Sequence, residues 1–198
     1  MVVAVHCRSC GACTVREVPK DDDRERDVCH ACGEIHYVNP KIVVGSVVHY
    51  GDRLLLCRRS IEPRTGFWTI PAGYMENGET APEGAVREAW EEARARIETD
   101  ALIAVYSIAR LDQVQLLYRA TLLDAHVEAG PESLEVALFE WDGIPWDELA
   151  FPTVRWVLER SIEIRADPGK AVITVGNPAH FACRERFSEA RPEGGRER

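Results

Sequence analysis

The sequence predicts an α/β or α+β sandwich preceded by a small metal-stapled unit. Between Ile42 and Ile162, strand-like stretches alternate with two stretches of helical periodicity, and such elements pack as layers. Five of the seven cysteines fall within the first 32 residues, where the chain is too short to build a core of its own. A length of 198 residues suits one compact domain with a small appendage. The expected division is 1–38, 39–165 and a partly disordered extension over 166–198.

The amino-terminal segment comes first. Cys7-x2-Cys10 and Cys29-x2-Cys32 are separated by 18 residues, the paired spacing of a four-thiolate zinc site. Gly11 and Gly33 follow the second cysteine of each pair and suit a tight knuckle turn. Cys7, Cys10, Cys29 and Cys32 are therefore the expected Zn²⁺ ligands, with Cys13, His6 and His30 as competing donors. Four thiolates leave no position open for water, so the site is expected to be structural. Without an export signal, clustered cysteines point to metal rather than disulfides. Residues 1–38 carry five Lys/Arg against seven Asp/Glu, a formal −2. That balance does not suit a phosphate grip, which leaves packing or homodimer formation as the expected role of this unit.

From Ile42 the texture changes. Ile42–Tyr50 and Leu54–Cys57 read as strands around the turn Gly51-Asp52, and Gly66–Gly73 as a loop with a short apolar insert. Thr80–Arg96 reads as a helix, with Thr80 as N-cap, Glu83 completing a capping box and Pro82 in the first turn. Leu102–Ile108, Val114–Leu123 and Val136–Trp141 read as strands. Phe151–Ile162, with Val154, Val157, Leu158 and Ile162 at helical spacing, reads as a second helix. Ala171–Val175 is an expected edge strand, and the Arg/Glu-rich tail from Arg184 is expected to be disordered.

The first helix carries the chemistry. Glu88, Glu91 and Glu92 fall on one face of it, where three carboxylates repel one another unless cations compensate. Oxygen donors of this kind favour hard cations such as Mg²⁺ or Mn²⁺. A solvated acidic face is the competing reading. The preceding loop weighs against it, because Gly73 lets backbone approach a ligand and Glu79 stands within reach of Arg87. Ala85, Ala89 and Ala93 form a small-residue stripe that allows close packing on a sheet. Arg58, Arg59 and Arg64, ahead of this segment, are candidates to bind phosphate. Phe67, Trp68, Trp141 and Trp146 are candidates to stack on a base, with core packing as the alternative.

Gly73, Glu79, Arg87, Glu88, Glu91 and Glu92 stand in the register of the Nudix box, G-x5-E-x7-R-E-U-x-E-E-x-G-U with U apolar, and the segment resembles it. Ala89 and Ala95 are weak fits for U, and Arg94 stands where the pattern has the glycine that helps end the helix. The likeness extends over roughly residues 5–162, through CHACGEIHYVNPKIVVGSVV, LLLCRRSIEPRTGFWTIPAGYMENGET and WDELAFPTVRWVLE. It is closest in character to the zinc-ribbon subgroup with ADP-ribose and FAD pyrophosphatases, and more distantly to NADH pyrophosphatases.

The resemblance implies an α/β/α sandwich with a mixed sheet. It also implies a metal-dependent pyrophosphohydrolase that splits a nucleoside diphosphate-linked small molecule into two monophosphates. It assigns Glu88, Glu91 and Glu92 as ligands of Mg²⁺ or Mn²⁺, with the Gly73 carbonyl beside them, and Arg87 with Glu79 as an orienting ion pair. A further carboxylate is expected from Glu132 or Glu135, with Glu132 favoured. The general base is then Glu132 or a box glutamate. The proline-rich tag of NADH pyrophosphatases is absent, and no proline lies between Pro82 and Pro131, so the substrate rests on subgroup likeness alone.

Formal charge narrows the partners. A net charge of −9 disfavours broad contact with nucleic acid or anionic membrane, and no apolar run is long enough for a membrane helix. The start lacks a basic signal-peptide region, so a soluble cytoplasmic protein is expected. Two rival readings stay open. One is a non-catalytic nucleotide sensor on the same fold, which the intact glutamate set opposes. The other is a zinc-ribbon protein that processes RNA ends, which the acidic charge opposes.

Overall fold

In the computed structural model, residues 5–167 and 174–176 are described. The chain divides into two compact units, Met1–Pro40 and Lys41–Arg198. In the first, β1 (Val15–Glu17), β2 (Arg26–Val28) and β3 (Ile35–His36) form a three-stranded antiparallel sheet. Its two knuckles are closed alike. The carbonyls of Cys7 and Cys29 accept from the amides of Gly11 and Gly33 at 2.9 and 2.8 Å, and both glycines have positive φ, 78° and 80°.

The second unit is a mixed eight-stranded sheet between two helices. Its elements are β4 (Lys41–Tyr50), β5 (Arg53–Arg59), β6 (Trp68–Thr69), β7 (Ala72–Tyr74), α1 (Ala81–Ala93), β8 (Ile97–Ile108), β9 (Gln113–Leu122), β10 (Ser133–Glu140), α2 (Pro152–Ala166) and β11 (Thr174–Gly176). The order across the sheet is β10-β5-β4-β9-β8-β11, with β6 on β5 and β7 on β4. The β4–β9 and β8–β11 pairs are parallel and the others antiparallel.

Strand periodicity explains the layers. Side chains alternate between the faces of a sheet. Leu54 and Leu56 enter the core built with Val154, Val157 and Leu158 of α2, whereas Leu55 and Cys57 enter the core built with Ala89 and Ala93 of α1. Val47 and Val48 divide in the same way. The alanine stripe of α1 lies against the sheet, all of it buried. Trp68 is buried and edge-on to Phe139, with ring centroids 4.9 Å apart, and Trp141 and Trp146 pack against the same core. Among the described residues, no helix is long and apolar enough to cross a membrane.

Several boundaries differ from the sequence expectation. The segment Gly66–Gly73 contains β6 and the start of β7 rather than loop alone. Strand β8 begins at Ile97 rather than Leu102, because register shifts at Thr99/Ala101 and Leu102/Ala104 break the period of two that sequence reading depends on. Strand β5 runs on to Arg59 and α2 to Ala166. The edge strand lies at Thr174–Gly176. The remainder of the expected Ala171–Val175 strand and the tail from Arg184 lie outside the described residues.

Helix α1 begins as its sequence predicts. Thr80 is the N-cap, its hydroxyl accepts from the Glu83 amide, and the Glu83 carboxylate accepts from the Thr80 amide at 2.7 Å. It ends at Arg94, whose φ of 51° and ψ of 22° are left-handed. A residue with a Cβ in that region carries a penalty of roughly 1–2 kcal/mol. Against this, the Arg94 guanidinium lies 5.7 Å from the Trp90 ring centroid, an exposed contact worth about 0.5–1 kcal/mol. Arg94→Gly is therefore expected to raise stability by about 0.5–1 kcal/mol in urea unfolding, and a loss of stability would show that the guanidinium contact dominates.

Candidate active site and thiol cluster

Strand β7 and helix α1 build the site together. Gly73 pairs with Val44 of β4 and lies so close to Glu88 that a Cβ at this position would overlap its carboxylate. Glu88 and Glu92, one helical turn apart, are both buried, at 8% and 6% exposure. Glu91 instead stands on the outer side, with its side chain 54% exposed. The helix end is covered by the segment ahead of β10. The Gly130 amide donates to the Glu92 carbonyl at 2.9 Å, and a Cβ on Gly130 would overlap the Glu91 carbonyl. This contact seats Pro131 and Glu132 beside the end of α1.

Arg87 organises the outer rim. Its Nε and Nη2 donate to the two Glu79 oxygens at 3.0 and 2.8 Å. Nη1 donates to Glu88 at 2.8 Å and Glu91 at 2.9 Å, and Nη2 also to the Tyr74 carbonyl at 3.0 Å. The Arg87 fork, followed by the Glu76 amide, holds the Glu79 carboxyl down to about 2. One guanidinium thus fixes the box loop to the helix and neutralises Glu79 and part of Glu88.

No such partner reaches Glu92 fully. Its Oε2 is buried and, among the described residues, accepts no hydrogen bond. Burial, then the neighbouring Glu88 charge, push its carboxyl up to about 8, with the Ala72 backbone amide and then Arg59 opposing and Glu132 adding repulsion. Glu88 is raised as well, chiefly by burial and against the pull of Arg87, with Glu132 again repelling it. Glu132 therefore converges electrostatically on both buried carboxylates. Glu135 is drawn to Arg58 on the next strand, with Nη1 3.4 Å from its Oε2. Carboxylate oxygens of this kind are the donors that hard divalent cations take.

The three candidate arginines differ in placement. Arg59 donates to the Pro63 carbonyl at 2.9 Å, lies over Phe151 and acts electrostatically on Glu92. Arg58 donates to the Gly66 carbonyl at 2.9 Å and reaches Glu135. Arg64 has a positive φ of 70° and lies over the Phe67 ring. Of these, only Arg59 is tied to the buried carboxylates. The sequence reading missed Gly130, whose only local signal is a Gly-Pro pair ahead of Glu132.

In the first unit the four paired cysteines converge. Cys7 and Cys32 Sγ are 3.6 Å apart, Cys10 and Cys29 Sγ 3.5 Å, and all four sulfurs lie within 4.8 Å of one another. A tetrahedral zinc with Zn–S of about 2.3 Å sets its sulfurs about 3.8 Å apart, so the cluster fits that ion. Cys13 lies outside it, 3.9 Å from His6, and His30 is paired with Glu17 at 3.2 Å.

The comparisons with known proteins match both units. The family model described as NUDIX domain matches residues 39–162, and the zinc-ribbon model described as Nudix N-terminal matches residues 6–38. A solved Nudix hydrolase from Nitrosomonas europaea is 44% identical with a TM-score of 0.83, covering 87% of this chain and 97% of that one. A protein named ADP-ribose pyrophosphatase from Methanocaldococcus jannaschii is 28% identical over 119 residues, 58% of this chain and 69% of its own. A protein named NAD-capped RNA hydrolase NudC from Stutzerimonas stutzeri is 32% identical over 143 residues, 70% of this chain and 50% of its own. The chain thus spans about half the length of that last relative.

In protein without divalent metal, the raised Glu92 carboxyl makes stability depend on pH. Below the unfolded value of 4.5 the carboxyl is protonated in both states. As pH rises from there to about 8, the unfolded chain ionises first and stability falls. Glu92→Gln cannot ionise, so its stability advantage over the wild type is expected to grow between pH 5 and pH 8 in urea unfolding. Parallel pH profiles of the two proteins would contradict a buried, uncompensated carboxyl.

Proposed function

The chain belongs to the Nudix hydrolase family, and from that membership we propose that it is a metal-dependent pyrophosphohydrolase acting on a nucleoside diphosphate linked to a second group. The observation that carries the reading is the buried Glu92 Oε2, which among the described residues accepts no hydrogen bond and feels the charges of Glu88 and Glu132. Glu88, Glu92 and Glu132 are the residues proposed to hold Mg²⁺ or Mn²⁺, with Glu91 at the exposed rim and the Gly73 backbone against Glu88. When bound, such an ion neutralises the diphosphate and lowers the pKa of the attacking water.

The protein's own groups then have separate tasks. Hydrolysis adds water across one P–O bond of the bridge, giving two phosphomonoesters and releasing a proton. Glu132, on the segment that closes over the end of α1, is proposed to accept that proton. Arg87 holds Glu79 and Glu88 in place, which is positioning work. Arg59 is the arginine proposed to face substrate phosphate. The four-thiol cluster is proposed to hold a structural Zn²⁺.

One relative's name supports a substrate of ADP-ribose type, and the alternatives of FAD or NADH type rest on the sequence resemblance. A second reading, an NAD-capped RNA end, is favoured by the match to capped-RNA hydrolases and opposed by the net charge of −9, which offers no broad phosphate grip.

A hydrolysis screen over ADP-ribose, FAD, NADH and an NAD-capped oligonucleotide, with Mg²⁺ or Mn²⁺, tests both readings. ADP-ribose-type substrates are expected to yield AMP and a phosphorylated partner, and Glu92→Gln to lower turnover by at least about 10²-fold. Full turnover in Glu92→Gln would remove this helix from the chemistry. Preference for capped RNA over every free dinucleotide would favour the second reading. For the first unit, a strong chelator is expected to release one zinc per chain and unfold that unit, as read by a colorimetric zinc indicator and circular dichroism. A chain containing no zinc would overturn the assignment.

A further inference from the structure

The face of the sheet covered by α2 carries a second cleft, of about 240 Å³, lined by His49, Gly51, Arg119, Ser161, Ile164 and Arg165. It is separate from the carboxylate site. His49 alternates with Val47 toward α2, whereas Glu88 and Glu92 belong to α1 on the opposite face. His49 is also five residues along β4 from Val44, which pairs with Gly73, a run of about 16 Å.

The polar groups here converge and are held. The Ser161 hydroxyl lies 3.3 Å from His49 Nε2, and the imidazole lies against Trp141 with ring centroids 5.6 Å apart. Arg119 is fixed by Asp100, which receives Nε at 2.9 Å and Nη2 at 2.7 Å. Asp100 is the extra residue at the Thr99/Ala101 register shift of β8, and such a bulge re-aims a side chain. Arg119 therefore presents a pre-set guanidinium, with Nη1 left over from this pairing.

Arg165 lies over Trp141 and donates through Nη2 to Asp52 at 2.7 Å, but Asp52 is 80% exposed. An ion pair that open to water is weak, so Arg165 turns to a better anion at little cost. Arg119 Nη1 and the weakly held Arg165 guanidinium thus supply N–H donors to one cleft, and guanidinium donors bind oxyanions through charge-assisted hydrogen bonds. At about 30 Å³ per water the cleft takes roughly eight waters, room for a phosphate with a sugar-sized body on the Ile164 and Gly51 wall.

From this geometry we infer that the cleft formed by His49, Arg119, Ser161 and Arg165 is a binding site for the phosphomonoester group of a small molecule, distinct from the catalytic site. The test is isothermal titration of the full chain without divalent metal, with ribose 5-phosphate, inorganic phosphate and uncharged ribose as probes. Ribose 5-phosphate is expected to bind once per chain at roughly millimolar or tighter affinity, inorganic phosphate more weakly and ribose not at all. Arg165→Gln, a change at an exposed ion pair that leaves the core intact, is expected to weaken binding at least about tenfold, while Glu92→Gln leaves it unchanged. Absence of saturable binding would overturn the inference. So would binding that survives Arg165→Gln, or that is lost in Glu92→Gln.

Discussion

Burying Glu88 and Glu92 between α1 and the sheet puts two carboxylates where water scarcely solvates them and where, among the described residues, only Glu88 has a guanidinium partner. The surrounding architecture is arranged around that cost. Arg87 spreads its donors over Glu79, Glu88, Glu91 and the Tyr74 carbonyl, so that one cation locks loop to helix. Gly73 has no side chain where Glu88 must sit, and Gly130 none where the last turn of α1 must be covered. Among the described residues, the Glu92 Oε2 is left without a hydrogen bond, and a buried acceptor in that state carries a desolvation cost.

The sheet serves this arrangement. The parallel β4–β9 pair and the β7 strand laid on β4 set Gly73 against the acidic side of α1, while the alanine stripe lets the helix approach closely. The opposite face is closed by α2 with larger side chains, Val157 and Leu158 among them, both fully buried. The two faces therefore differ in kind. One is close-packed around carboxylates, and the other is a conventional apolar core with a cleft lined by Arg119 and Arg165 at its margin.

Much of this was legible in the sequence because the informative residues are local. The Thr80–Glu83 capping box, the one-turn spacing of Glu88 and Glu92, and the paired cysteines each encode geometry within a few residues. Less legible was whatever depends on distant contacts. Glu91 shares the acidic face in projection, yet its side chain is 54% exposed and is held by Arg87 at the rim. Three arginines looked equivalent, and only Arg59 is carried toward Glu92. Bulges hid the first half of β8, and Gly130 announced nothing of its role until the chain had folded over α1. At Arg94 the chain keeps the left-handed turn that the glycine of the pattern favours, and does so with a larger residue.

The Glu88, Glu92 and Glu132 carboxylates are proposed to form a divalent-cation site in the folded chain. Titration with Mn²⁺ followed by electron paramagnetic resonance measures this without reference to any substrate. Saturable binding is expected, weakened about tenfold or more by Glu92→Gln and by Glu132→Gln, and unaffected by Glu135→Gln. Binding that is unchanged in Glu92→Gln, or that depends on Glu135 rather than Glu132, would place the cation elsewhere and rule out this site.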